Sequence, residues 1–435
     1  MSRSATAGAQ SASSRDPRVR SIERMTSATD TTAALLAAAD ELDAADPLAA
    51  FVDEFEPAAG VAAYLDGNSL GRPVRGTAER ISRFVAGEWG TGLIRSWDEG
   101  WMQRPFDVGD RIGRVALGAA AGQTVVADST TVLLYKLVAA ALRGVPAGGR
   151  ILIERGNFPT DRFIVDALAT AQGLSVDWLD PDPIVGVMPA DVAAALTDRT
   201  ALVVLSHVDY RSGALADMAA ITALVRDTDA MMLWDVCHSA GVVPMRLDEW
   251  GVDLAVGCSY KYLNGGPGAP AFAYVRAELQ HRIEQPIQGW MGAADVFAMG
   301  PAYRPAAGMR RLLSGTPPIV GMLPMQGMLD LLDRAGVDAV REKSRSLTTL
   351  AIRAYDEVLA ERGVELLTHR DAARRGSHVL LGHPSFRAVT EQLWLDGVIP
   401  DFRGPQGIRI GLSPLSTTHA ETVRGIAAIA AILRD

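Results

Sequence analysis

Five short runs in the middle of the chain are strongly apolar, "ILIE", "ALVVLS", "AMMLWDV", "DLAVGCS" and "PAFAYV", and Ala201–Leu205 is apolar throughout. A strand with one wet face alternates polar and apolar side chains, whereas a strand apolar throughout must be covered on both faces. Between the runs lie segments with helical spacing, Asp161–Ala171, Pro189–Leu196 and Met218–Arg226. Strand and helix in repetition predict an α/β fold: a mainly parallel sheet with right-handed crossovers, flanked by helices. The chain has 435 residues, too many for one small domain. Near Val320 the pattern changes. A long helical stretch over Met322–Leu359 is followed by strand-like "VELLTH", "SHVLLGH" and "GIRIGLS" and a final helix. The expected division is a tail over 1–30, an N-terminal helical segment and turn over 31–75, a large domain over 76–320 and a smaller C-terminal α/β domain over 321–435. The tail is rich in Ser, Ala and Arg, which predicts disorder, and Met25 offers an alternative start.

The formal net charge of −9 disfavours nucleic acid and acidic membranes as partners. No apolar run approaches the roughly 18–20 residues that span a bilayer, and the tail has no apolar core of a secretory signal. The expected location is the cytoplasm. Cys237 and Cys258 lie in apolar stretches and read as free, buried thiols. No two histidines lie at ligand spacing on one element, so no metal site is expected.

In a doubly wound sheet, ligands bind beyond the carboxyl ends of the strands. After the strand near Val125 come Asp128, Ser129, Thr130 and Thr131; after "ILIE" come Asn157, Phe158, Pro159, Thr160 and Asp161. After "LVVLS" come His207, Asp209 and Tyr210; after "MMLW" come Asp235 and His238; after "LAVGCS" come Tyr260 and Lys261. Lys261 sits between two tyrosines, with Gly265, Gly266 and Gly268 close behind. That stretch is either a surface loop or a pocket holding a nucleophilic lysine, with bare backbone so that a flat group can approach. Pyridoxal phosphate would use such a lysine, a carboxylate for its ring nitrogen, and hydroxyls at a helix N-terminus for its phosphate. Asp235 suits the nitrogen and "DSTT" the phosphate, although the same "DSTT" is also an ordinary helix cap. Phe158 and Asp161 suit the ring, or equally a turn and a cap. His207 and His238, each taken alone, read as satisfied core histidines.

The stretches "YLDGNSLGRP", "LIRSWDEGW", "NFPTD", "WDVCHSAG", "GCSYKYLNGGPGAP", "QGWMG" and "SGTPPI" occur in that order. Together they resemble the kynureninase family, fold-type-I pyridoxal-phosphate enzymes of the aminotransferase class V group. The resemblance runs from about Tyr64 to Leu415. It implies a PLP-dependent transferase-like fold and hydrolytic cleavage of L-kynurenine, or its 3-hydroxy form, to an anthranilate and L-alanine. That reaction belongs to tryptophan catabolism and the route to NAD. By the same resemblance Lys261 is the Schiff-base lysine, Asp235 the partner of the pyridine nitrogen, and Thr130, Thr131 and Tyr260 the phosphate site. Phe158, Pro159, Thr160, Asp161 and His238 line the ring. Trp290 and Thr316 complete the cofactor site from the neighbouring subunit of a homodimer, and Arg409 grips the substrate carboxylate. Tyr260 is also the candidate proton relay. One position departs from the family pattern: Ala293 stands where histidine usually follows "GWMG" or "GWFG". Two rivals remain: another enzyme on the same cofactor, such as an aminotransferase or a cysteine desulfurase, the latter needing a cysteine on a mobile loop, and a catalytically silent binding protein, which would not need both Lys261 and Asp235.

Overall fold

The computed structural model describes residues 17–433, with side chains from Asp30 onward. Residues 1–16 of the expected tail lie outside the described residues. From Pro17 the backbone is helical to Ala45, so a helix begins inside the segment expected to be disordered.

The large sheet has seven strands: β2 (Thr124–Ala127), β3 (Arg150–Glu154), β4 (Ser175–Leu179), β5 (Thr200–Ser206), β6 (Met231–Asp235), β7 (Leu254–Gly257) and β8 (Ala271–Val275). Their order is β2-β8-β7-β6-β5-β3-β4. β8 pairs antiparallel with both neighbours, and every other pairing is parallel. The strongly apolar runs are explained by which face each residue takes. Leu152, Val203, Leu205, Met232 and Trp234 join the core on one side of the sheet. Their neighbours Ile151, Ile153, Leu202, Val204 and Leu233 join the core on the other. Each fully buried Val or Leu contributes roughly 1.5–3 kcal/mol, so both faces hold the strands in register. Buried Trp234 donates its indole N–H to the Thr222 hydroxyl at 3.0 Å, which satisfies its one polar atom. The helix Met218–Arg226 has the bounds expected from the sequence, and Pro159–Gln172 and Pro189–Ala195 match within two residues.

The small sheet takes its first strand from the other end of the chain. β1 (Ala63–Leu65) pairs parallel with β11 (Val398–Arg403), placing Ala63 opposite Val398. The order β1-β11-β12-β10-β9 is completed by β12 (Gly407–Gly411), β10 (His378–Gly382) and β9 (Glu365–Leu366). Leu35, Ala39 and Leu65 share a core with Leu347, Ile408, Ile410 and Ile426. Asp43 accepts the His419 and Ala420 N–H groups at 2.8 and 3.0 Å, capping the last helix, His419–Ile432. The segment over 31–75 is therefore packed into the small unit rather than standing apart. The long helical stretch divides into Leu323–Ala335 and Val337–Val358 at Gly336, whose φ of +75° no continuing helix has.

Candidate active site

All five parallel-running strand ends named above meet at one edge of the large sheet. Asp128 follows β2, and the Ser129 hydroxyl caps the helix Thr130–Ala141 by accepting the Val132 N–H at 3.4 Å. The N–H groups of Thr130 and Thr131, at the first turn, have no partner inside the helix. Ser129, Tyr260, Gly268 and Thr316 line a cavity of about 560 Å³ beside that N-terminus. Thr316 thus reaches the phosphate-type pocket within one chain. Trp290 does not line it and is 43% exposed.

Lys261 follows β7 and is buried. Its Nζ lies 3.3 Å from His238 Nδ1, and 6.0 and 5.9 Å from the ring centres of Phe158 and Tyr260. The chain contains three lysines, Lys136, Lys261 and Lys343, and all three are buried. Lys136 pairs with Asp128 at 2.6 Å and Lys343 with Asp46 at 2.7 Å. Among the described residues no carboxylate lies within ion-pair distance of Lys261 Nζ. An amine buried without a counter-ion is the form suited to carbonyl chemistry. The count of three was readable in the sequence, but the pairing was not.

The glycines behind Lys261 serve two purposes. A Cβ on Gly265 would stand 2.8 Å from Ala269 Cβ and 2.9 Å from Ser259 Oγ, so backbone passes tightly there. Gly266 and Gly268 have open space around them and are needed instead for φ of +82° and +74°.

Beneath Lys261 the site is acidic. Asp235 ends β6 and accepts the Cys237 N–H at 2.7 Å. Burial, and then the charges of Asp235 and Glu154, push the Asp161 carboxyl well above the usual range, with Lys261 pulling the other way. Glu154 is raised likewise, by burial first and then by Asp209. Phe158 packs edge-on against Tyr210 at 5.2 Å and precedes Pro159, Thr160 and Asp161 in the first turn of their helix. Asn157 Oδ1 fixes that turn, accepting from the Phe158 N–H at 2.6 Å and the Ser206 hydroxyl at 2.9 Å. Several buried polar atoms here meet no partner: Asn157 Nδ2, Asp161 Oδ2 and His238 Nε2. Unpaired polar atoms at this depth cost free energy unless a ligand meets them. The two buried carboxyls Asp161 and Asp235 also favour a cationic ring. The donor set therefore fits pyridoxal phosphate: a free amine, a carboxylate, an aromatic face, and a hydroxyl-bearing helix N-terminus. Burial, and then the Lys261 charge, hold the His238 imidazole neutral. His207 packs against Trp234 at 6.1 Å, and burial and then Arg341 lower it to about 3. Its Nδ1 has no partner, so it is a core histidine but not a satisfied one.

Tyr260 holds its proton firmly, because negative charge at Cys258 and then burial raise its pKa. Both cysteines are buried, Cys237 behind β6 and Cys258 behind β7, so neither is on a mobile loop.

Arg409, on β12, is 1% exposed. Its NH2 meets Asp401 Oδ2 at 2.8 Å and donates to Ser69 Oγ at 2.6 Å, its NH1 donates to the Tyr210 carbonyl, and Asp66 Oδ1 lies 3.9 Å away. The guanidinium is thus already oriented by both ends of the chain. Asp66, Ser69, Asp401 and Glu154 were not singled out from the sequence. Asp66 and Ser69 lie in the quoted "YLDGNSLGRP", while Asp401 lies on β11, which no apolar run announces.

The family model for Aminotransferase class-V matches residues 113–396. The chain is 43% identical over 387 residues to the kynureninase of Burkholderia pseudomallei (strain 1106a), covering 87% of this chain and 91% of the relative. It is 41% identical over 400 residues to the kynureninase of Pseudomonas fluorescens, covering 90% and 94%. The fold is similar to that of a cysteine desulfurase from Thermococcus onnurineus NA1, with a TM-score of 0.76 at 17% identity, over 86% of this chain and 94% of that one. It is also similar to a C-DES variant with glycine covalently linked to its PLP cofactor, with a TM-score of 0.74 at 19% identity, over 85% and 96%.

Proposed function

The chain belongs to the kynureninase family, on the class-V aminotransferase fold, and from that premise we propose how its residues divide the work. The enzyme hydrolyses the Cβ–Cγ bond of L-kynurenine or 3-hydroxy-L-kynurenine, giving anthranilate or 3-hydroxyanthranilate and L-alanine. Pyridoxal phosphate, when bound, supplies the electron sink for the carbanionic carbon that this cleavage leaves. Lys261 would hold it, because Lys261 alone among three lysines has no carboxylate partner. That observation carries the assignment. As a free amine, Lys261 takes the proton from the substrate Cα.

Asp235 would keep the ring nitrogen protonated, with Asp161 and His238 meeting the ring's remaining polar groups. Thr130, Thr131 and Tyr260 would hold the phosphate at the helix N-terminus. The phenol of Tyr260, which keeps its proton, is placed as a donor. Arg409 presents a flat guanidinium to the substrate carboxylate, steadied by Asp401 and Ser69. Trp290 would serve the partner's site in a homodimer, whereas Thr316, which the family pattern also places there, lines the phosphate-type pocket of its own chain. Exposed Trp89, which lines a cavity with Thr316, supports a covered face there. The cytoplasm and tryptophan catabolism are the proposed setting, and 76–320 and 321–435 the proposed domains.

The test is fluorescence of anthranilate after mixing cofactor-loaded protein with L-kynurenine, with 3-hydroxykynurenine in parallel. Release from either supports the reading. Silence on both, from protein whose cofactor absorbance shifts on adding amino acids, overturns the substrate.

A further inference from the structure

A second cavity of about 560 Å³ is lined by Glu154, which also borders the acidic floor of the proposed cofactor site, but contains neither Lys261 nor any of the residues proposed to hold the cofactor. Its walls come from both units. Ile184, Val187 and Ala216 line it from the loops after β4 and β5, and Leu367 and Leu380 from the small sheet. Four acidic residues line it: Asp180 pairs with Arg155 and Asp182 accepts the Ile184 and Val185 N–H groups, which leaves Glu154 and Asp209. Glu154 is 8% exposed, and its one hydrogen bond, from the Ser206 N–H at 3.5 Å, falls on Oε2. Asp209 accepts from the Arg211 N–H, the Ser212 N–H and the Ser212 hydroxyl, all on Oδ1. Among the described residues no donor meets Glu154 Oε1 or Asp209 Oδ2.

The cations nearby are committed elsewhere. Arg155 pairs with Asp180 at 2.8 Å, and Arg211 NH2 donates to the Gly404 carbonyl at 2.8 Å. The cavity therefore offers an apolar body pocket and two acceptor oxygens, while its two arginines are drawn to Asp180 and to the Gly404 carbonyl. We propose that it is a binding site for a protonated amine carried on a compact apolar group. A carboxyl pair without a donor is the arrangement that a charge-assisted N–H bond completes. Both acids sit above their ordinary range through burial, and an ammonium beside them would draw out a proton. The ligand is thus recognised by charge, size and one or two N–H bonds, independently of the carbonyl chemistry at Lys261.

The probe is N,N-dimethylbenzylamine, an ammonium at neutral pH that has no primary amine to condense with an aldehyde. It is titrated calorimetrically into the cofactor-loaded, full-length protein in two buffers of different ionisation enthalpy. Expected is saturable binding in the millimolar range or tighter, with a buffer-dependent heat reporting proton release. Benzyl alcohol, neutral and similar in shape, should bind at least about tenfold more weakly. Glu154→Gln, which keeps the shape, should weaken the amine by about tenfold and remove most of the proton release. Leu367→Trp and Ile184→Trp, filling the cavity from opposite walls, should each abolish binding while circular dichroism stays unchanged. Absence of saturable binding overturns the proposal. So does binding that both tryptophan variants retain, and so does inhibition of turnover that is purely competitive with kynurenine.

Discussion

Asp66 offers a prediction whose size follows from its surroundings. Burial, and then the charge of Asp401, raise its carboxyl from 3.8 to about 6, against the pull of Ser69, Arg409 and Arg403. The side chain is 22% exposed, so solvent screening is limited. A carboxyl whose pKa is higher folded than unfolded weakens the folded state as it ionises. That cost is absent below about 3.8, grows through the window up to about 6, and is complete above it. At 1.36 kcal/mol per unit it reaches about 3 kcal/mol at pH 8 and about 1.5 kcal/mol at pH 5. Asp66→Asn removes the titration while keeping the shape. Melting entropy of about 2.1 cal/mol/K per residue makes 1 kcal/mol worth about 1 °C in a chain this long. The variant's apo form should therefore melt about 3 °C above wild type at pH 8 and about 1.5 °C above it at pH 5. Differential scanning fluorimetry across this range measures the gap. The amide's own hydrogen bonds do not titrate, so the change of the gap with pH is the readout. A gap that is constant, or that narrows as pH rises, refutes the reasoning. The same variant should lose activity, since Asp66 helps to orient Arg409; that is the usual exchange between stability and function.

Lys261→Ala should lose at least about a thousandfold in turnover with the fold intact. Borohydride treatment of cofactor-loaded wild type, followed by peptide mapping, should place the label on Lys261 and leave Lys136 and Lys343 unmodified; label on either of those would sink the assignment. Gly265→Ala should destabilise by about 1–3 kcal/mol, because the new methyl meets Ala269 and the Ser259 backbone; denaturant midpoints check it. Ala293→His should change the ratio of KM for kynurenine to KM for 3-hydroxykynurenine without changing the cofactor's absorbance; a lost cofactor band would show that the position serves the cofactor instead.

The large sheet was legible because its signal is local. A strand with both faces covered must be apolar at every position, and Leu202 through Leu205 are, with alternate side chains entering opposite cores. β11 carries Pro400 and Asp401 and is only half-buried, so its composition does not mark it as a strand. The pairing of Ala63 with Val398 left no trace in either segment, since register between distant edges is set by packing and not by local pattern. The break at Gly336 was hidden for the opposite reason: helical spacing continues on both sides, and one positive φ suffices to turn the chain.

The site divides along the same line. Lys261, Asp235, Asp161 and Ser129 stand at the ends of strands or in the segments that follow them, where parallel-sheet topology alone brings them to one edge. Asp401, Asp66 and Glu154 act through neighbours far away in sequence, so no spacing rule could name them. The lysine count lies between these cases, because composition states it and only burial gives it meaning. A chain that spends nearly all of its 42 basic residues as arginine keeps its three lysines inside. Guanidinium stays charged at any working pH, while a buried amine can surrender its proton when no carboxylate holds it. Asp128 and Asp46 hold two of the three. The third stands beside the His238 imidazole, 6.0 and 5.9 Å from two aromatic ring centres, with no carboxylate at ion-pair distance among the described residues, and its amine is left open to a carbonyl carbon.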